Sequence, residues 1–187
     1  MIDSDKHIKD VQAIRSKEDI EKMRWALGRF CGQRDLMLFN LGLATGLRCG
    51  DLLRLKAKDV RYKKEVKVFE GKTKKQRLIY LHSIYNELNN YIDNYVYGTW
   101  LFPSRKGDKP IMVSHAWRQL QKACDMAQLD HIGTHTMRKT FGYWHYKQFK
   151  DVAQLQMIFN HSHPQITLRY IGITEEEIEQ NMKEFKI

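Results

Sequence analysis

The chain has 187 residues, 42% hydrophobic and 11% aromatic, enough apolar material for one sizeable core and too little length for two full domains. Lys and Arg number 32 against 22 Asp and Glu, a formal charge of +10, which favours a polyanionic partner. Cys31, Cys49 and Cys124 are scattered and form no CxxC pair, which argues against a disulfide framework and against structural zinc and fits a reducing cytoplasm.

MIDSDKHIKD at the start lacks the apolar core of a signal peptide, and no run of about 18 apolar residues occurs, so a membrane partner is not expected. Ser16 followed by Lys17, Glu18 and Asp19 reads as an N-cap with early acids, and Ile20, Met23 and Leu27 recur at helical spacing. From Asp35 to Ala44 the density of Leu36, Met37, Phe39, Leu41 and Leu43 predicts a buried helix that Gly46 can end. Gly50 and Asp51 can start a short helix carrying Leu52, Leu53 and Leu55. The stretch KAKDVRYKK after it reads as too polar for core.

EVKVFE, GKTKKQ and RLIYL predict two short strands joined by a basic turn. Ser83 to Tyr97 has helical periodicity, and LFPSRKGDKP reads as a loop. Ser114 is the expected cap of a helix through Trp117, Leu120 and Ala123. Helices are expected over His135 to Phe149 and Asp151 to Phe159, with His161 to Pro164 interrupting the chain before a short helix bearing Tyr170. Thr174 and Glu177 form a capping box for a C-terminal helix whose Ile178, Met182 and Phe185 fall on one stripe. The fold class predicted is mainly α with one small antiparallel β-sheet (α+β), in a single domain: a core over about 16–173 and a C-terminal helix over 174–187.

Arg48 lies in TGLRCGDLLRL, where a glycine turn presents a guanidinium from between two apolar helices, a geometry suited to bidentate phosphate binding. Pairing with Asp51 at a helix start fits the same motif. His135 and Arg138, in THTMRKTF, stand at i and i+3 and can share one anion. His161 in FNHSHP and Tyr170 in TLRYIG lie on separate segments that a loop can bring together. Considered alone, Tyr170 reads more readily as a half-buried tyrosine with a satisfied hydroxyl. Lys72 in GKTKKQR is not part of a nucleotide-binding loop, because the position of that motif's first glycine is Val66 in an apparent strand.

Taken together, TGLR, a lysine in a hairpin turn, HxxR, a histidine after a helix and a late tyrosine resemble, in order and spacing, the catalytic domain of tyrosine recombinases of the phage integrase and Xer type. LFPS before a helix is a further likeness, and the resemblance runs from about Ser16 to the C-terminus. It implies that Tyr170 attacks the scissile phosphate of double-stranded DNA, forming a 3′-phosphotyrosine and releasing a 5′-hydroxyl. Arg48, Arg138 and His161 would stabilise the phosphorane-like transition state. Lys72 would be the general acid, and His135 would help take the tyrosine proton. No metal, ATP or other cofactor is implied. His131, His135, His145, His161 and His163 cluster late in the chain without the cysteine or carboxylate spacing of a tetrahedral zinc site.

Departures from the family pattern are Phe159-Asn160 where Leu-Gly is usual, Asp51 where glutamate is common, and Lys139 where histidine is frequent. Too few residues precede Ser16 for the separate N-terminal DNA-clamping domain that relatives usually carry. The resemblance also implies self-association on DNA, with the 174–187 helix passed to a neighbouring protomer, and an accessory DNA-binding protein is compatible with it. Rival readings are a type IB topoisomerase, which would relax supercoils as a monomer, and a non-catalytic DNA-binding relative, which would bind without cutting.

Overall fold

The computed structural model describes residues 11–173 and 182–186. Ser16 is the N-cap of α1 (Lys17–Phe30), its hydroxyl accepting from Asp19 N–H at 3.3 Å. Met23, Ala26 and Leu27 make the buried face of α1, which packs on α2 (Gln33–Thr45) and α6 (Val113–Ala127).

α2 is the central helix. Met37, Leu38, Phe39 and Leu41 are all buried on it, and it touches α1, α5 (Tyr85–Tyr95), α6 and α7 (Thr136–Phe149). Each large apolar side chain taken out of water contributes about 1.5–3 kcal/mol, so the apolar run read from the sequence becomes the spine of the larger core.

Gly46 closes α2 in the left-handed region, φ 60° and ψ 21°. α3 (Cys49–Leu53) and α4 (Ala57–Val60) follow as short turns of helix. α4 corrects the reading of KAKDVRYKK as too polar for core: Ala57 and Val60, at i and i+3, are buried while the lysines around them point outward.

β1 (Glu65–Phe69) pairs antiparallel with β2 (Gln76–Tyr80), Glu65 opposite Tyr80 and Phe69 opposite Gln76, with the basic turn between them. Val66 and Val68 face the core and the charged residues of β1 alternate outward. A 3-10 turn over His82–Ile84 leads into α5. The LFPSRKGDKP segment is a loop pinched by a bridge between Pro103 and Pro110, with Leu101 and Phe102 buried at its base.

α6 begins one residue before the expected cap. Met112, in extended conformation, takes the N-cap position without a side-chain bond, and Ser114 lies inside the first turn. Asp151 caps α8 (Val152–Phe159) through Oδ1 and Gln154 N–H at 2.8 Å. α9 (Pro164–Ile171) starts with proline at a position where no N–H is needed.

α7, α8 and α9 enclose a second, smaller cluster of Tyr143, Leu155, Phe159 and Ile171. The Thr174–Glu177 capping box and Ile178 lie outside the described residues. Met182 and Phe185, which are within them, are 65% and 64% exposed. No described helix is long and apolar enough to cross a membrane.

Candidate active site

Apart from Lys72 in the β1–β2 turn, the site side chains named from the sequence lie near the beginning or end of a helix. Arg48 is the N-cap of α3, two residues after the Gly46 turn, with Leu47 before it and Leu52 after it buried. Its Nη1 is 3.0 Å from Glu70 Oε2 and 3.9 Å from Asp51 Oδ2, so the pairing with Asp51 exists but is the weaker of the two. Asp51 also bonds Arg54 and accepts from Gly71 N–H at 3.0 Å.

Arg138 is only 2% exposed. Its Nη1 donates to Gly46 O at 2.6 Å and its Nη2 to Phe159 O at 3.0 Å, so one guanidinium joins the end of α2 to the end of α8. The group also lies 4.3 Å over the Phe159 ring. Burial draws its pKa down to about 10, still cationic at neutral pH. A methyl at Gly46 would stand 2.8 Å from Phe141 Cγ, so that turn needs glycine for its space as well as its φ.

His135 is the N-cap of α7 and is exposed, whereas Arg138 points inward from the first turn. His135 Nδ1 is 3.3 Å from Tyr170 Oη. Although the residue reaches solvent, partial burial of its ring, with repulsion from Lys139, Arg138, Lys72 and Arg48, pushes the imidazole below its ordinary range, keeping it neutral and able to accept a proton at pH 7.

His161 follows the C-cap of α8, with Nδ1 3.0 Å from Thr167 Oγ1, which leaves Nε2 as the nitrogen available to a ligand. It too is held below the ordinary imidazole range, first by burial and then by Arg138, Arg48 and Lys72.

Tyr170 sits on α9 among these groups, edge-on to Phe159 at 5.5 Å and to His161 at 5.3 Å between ring centroids. Burial raises its phenol above the ordinary range, and the charges of Arg138 and Arg48 offset only part of that rise. An open cleft of about 340 Å³ beside it is lined by Arg15, Lys139, Arg169 and Tyr170. Arg48, His135, Arg138, His161 and Tyr170 therefore converge. Lys72 stands apart on the exposed hairpin turn, near enough for its charge to act on both histidines.

Two of the departures from the family pattern acquire a physical reading. Asn160 adopts φ 54° and ψ 48° at the C-cap of α8, a conformation in which glycine is the usual residue and asparagine the next best. The backbone that delivers His161 is thereby kept. Lys139 Nζ donates to Val11 O at 2.6 Å and lies 5.5 Å from the Tyr170 ring centroid.

Glu70, Arg77 and Thr167 belong to the site but were not foreseen. Glu70 is buried at 3% exposure against Arg48, Arg77 and Arg138. Glu70 follows a strand and Arg77 lies within one, where alternation gives the only hint of facing. Thr167, three residues before Tyr170 on α9, carried no separate signal. Among the described residues no group of His, Cys, Asp or Glu comes together as a metal site.

Residues 16–177 match the model of the phage integrase family. The chain is 42% identical over 177 residues to the probable integrase/recombinase YoeC of Bacillus subtilis strain 168, covering 94% of this chain and 97% of the relative. It is 26% identical over 176 residues to tyrosine recombinase XerD of Pseudomonas putida, covering 88% of this chain and 59% of XerD, little more than half that protein's length. Among solved structures, the XerH site-specific recombinase bound to palindromic difH substrate superposes with a TM-score of 0.75 at 19% identity, over 92% of this chain and 52% of that one. The catalytic domain of bacteriophage HP1 integrase gives 0.61 at 21% identity, over 92% and 94%. The shared fold, the ordered site and the match along most of the sequence make this chain a member of the phage integrase family, the tyrosine-type site-specific DNA recombinases.

Proposed function

We propose that the protein breaks and rejoins double-stranded DNA through Tyr170, with no metal or ATP in the reaction. Tyr170 Oη attacks the scissile phosphorus and the P–O5′ bond breaks. The products are a 3′-phosphotyrosine and a 5′-hydroxyl. The reverse attack by a 5′-hydroxyl of another strand restores a phosphodiester and frees the tyrosine. Because one phosphate ester is exchanged for another, no external energy source is needed.

His135, 3.3 Å from the phenol, takes the tyrosine proton. The deficit to be offset is large: a phenol with a reference pKa of about 10 is some three units from ionised at pH 7, about 4 kcal/mol. Arg48 and Arg138 lower that deficit and, with His161, hold the non-bridging oxygens as charge develops. Lys72 gives its proton to the departing 5′-oxygen. The observation that carries the reading is the meeting, around one phenol, of two neutral imidazoles and two guanidiniums, the five groups delivered from four separate stretches of chain.

DNA is the partner, and the protein works in the cytoplasm where that DNA lies. Solved relatives include a lambda integrase dimer on a core site and a tetramer on a Holliday junction, which supports self-association on DNA. We extend this to the 174–187 segment as the exchanged element, since Met182 and Phe185 are left without cover. A chain lacking residues 174–187 that assembles on DNA as the full chain does would count against that exchange.

The test is incubation of wild type and Tyr170→Phe, in EDTA, with nicked suicide duplexes from a random-sequence pool. SDS-resistant protein–DNA adducts are expected with wild type alone. Binding without any adduct favours the non-catalytic relative instead.

A further inference from the structure

The residue after β1 turns its carboxylate into the protein. Glu70 Oε2 accepts from Arg48 Nη1 at 3.0 Å and from Thr73 Oγ1 at 2.9 Å. Its Oε1 faces Arg77 Nη1 at 3.7 Å and Arg138 Nη1 at 3.9 Å. Oε1 and Arg77 Nη1 are both buried without a hydrogen-bond partner among the described residues. Removing a carboxylate from water is expensive, and an apolar residue of similar volume is often at least as stabilising. Stability of the fold is therefore a poor reason for this acid.

Its place in the chain supplies a better one. Lys72 lies two residues on, at the exposed tip of the same turn. The turn's own bonds, Glu70 N–H to Lys75 O and Lys74 N–H to Glu70 O, both at 2.9 Å, shape it but do not fix where it sits. Besides Glu70, it is tethered by Gly71 N–H to Asp51 Oδ1 at 3.0 Å and by Lys75 Nζ to Asn160 Oδ1 at 3.2 Å. Arg138 and Arg77 depend on Glu70 much less, having carbonyl acceptors of their own. Arg48 keeps its backbone place as the N-cap of α3 and a second carboxylate, Asp51, at 3.9 Å.

We propose that Glu70 is a positioning residue for Lys72: its carboxylate, gripped by Arg48, docks the β1–β2 turn onto the anion-binding arginines and so sets the ammonium beside the leaving 5′-oxygen. This rests on the reading of Lys72 as the general acid. Phosphate clamp and proton donor then form one unit although they come from different segments. Burial works against the charged carboxyl, but the Thr73 hydrogen bond and the Arg48 and Arg138 charges outweigh it, leaving the group below the usual carboxylate range.

The test uses duplex pools with an intact scissile phosphate close to a nick, flanked by randomised base pairs and made with either oxygen or sulfur at the bridging 5′ position. A thiol, with a reference pKa of about 8.5, leaves without needing a donated proton. Glu70→Gln keeps the volume but turns an amide NH2 toward Arg77 or Arg138. In it and in Glu70→Ala, adduct formation is expected to fall at least ~10-fold on the oxygen pool and less than ~3-fold on the sulfur pool, as for a displaced general acid. Equal losses on both pools, or none on either, overturn the proposal.

Lys72→Ala and Tyr170→Phe are run beside them. Lys72→Ala left unrescued by sulfur defeats the general-acid reading itself, and an adduct from Tyr170→Phe defeats the nucleophile. Amide exchange over residues 70–75 reads the docking without DNA. Faster exchange there in Glu70→Gln, with α2 and α7 unchanged, is expected. Unchanged exchange in the turn overturns the proposal whether or not an adduct forms, and Glu70→Gln carries both measurements if the alanine variant does not fold.

Discussion

His135 Nδ1 stands 3.3 Å from Tyr170 Oη, a contact between residues thirty-five positions apart. It joins the start of α7 to α9 and gives the phenol a proton acceptor that is neutral at pH 7. The electrostatics behind that neutrality are made by the site itself, since burial and the same cations that would bind phosphate keep the proton off His135.

A pH dependence follows with a definite sign. His135, His145 and His161 all have folded pKa values below the ordinary imidazole range, each chiefly through burial. The unfolded chain takes up these protons near pH 6.5. Their contribution to stability is therefore complete above about pH 6.5 and is lost as pH falls through the lower folded values. The histidine part of the Tm profile should be flat from neutrality upward and fall on acidification. Adduct formation should fall over the same acid limb, and His135→Gln should lower the rate while flattening that limb.

Asn160 offers a test of backbone geometry. Asn160→Gly keeps the left-handed C-cap and should leave Tm nearly unchanged, losing only the Lys75 tether. Asn160→Val places a β-branched residue at φ 54° and should cost about 1–2 kcal/mol, with a larger loss of cleavage because His161 is the next residue. Thermal melts and single-turnover adduct formation separate the two effects.

Arg138→Lys keeps a positive charge but cannot serve Gly46 O and Phe159 O with one planar group. Leaving one of these carbonyls without a donor should destabilise the fold by about 1–3 kcal/mol. Cleavage should drop more than stability at a temperature where the variant remains folded, since in the proposed reaction the same side chain holds the phosphate. Denaturant unfolding and adduct yield, measured on one preparation, check this.

Much of the scaffold was legible because it is local. Ser16, Gly46 and Asp151 mark helix ends through bonds or φ values set within a few residues, and the alternation in EVKVFE and RLIYL is enough for a hairpin. What escaped depends on distant contacts. Glu70 after a strand reads as a solvated acid, and only the folded chain, which brings Arg48, Arg77 and Arg138 around it, makes it part of a buried cluster. Ala57 and Val60 were hidden by the charges around them, because two buried positions suffice for a single helical turn. Ser114 looked like a cap because residue type was plain and backbone conformation was not. The site residues themselves stood out through their order and spacing together, each being ambiguous alone.

The most direct test is to digest the covalent complex formed by wild-type protein on a nicked suicide duplex, with EDTA present, and to map the linked peptide by mass spectrometry together with the chemistry of the DNA end. The account predicts the linkage at Tyr170, in the peptide containing TLRYIG, through a 3′-phosphate with a free 5′-hydroxyl on the released strand. A linkage to any other side chain, or a 5′-phosphate on the protein, would contradict it.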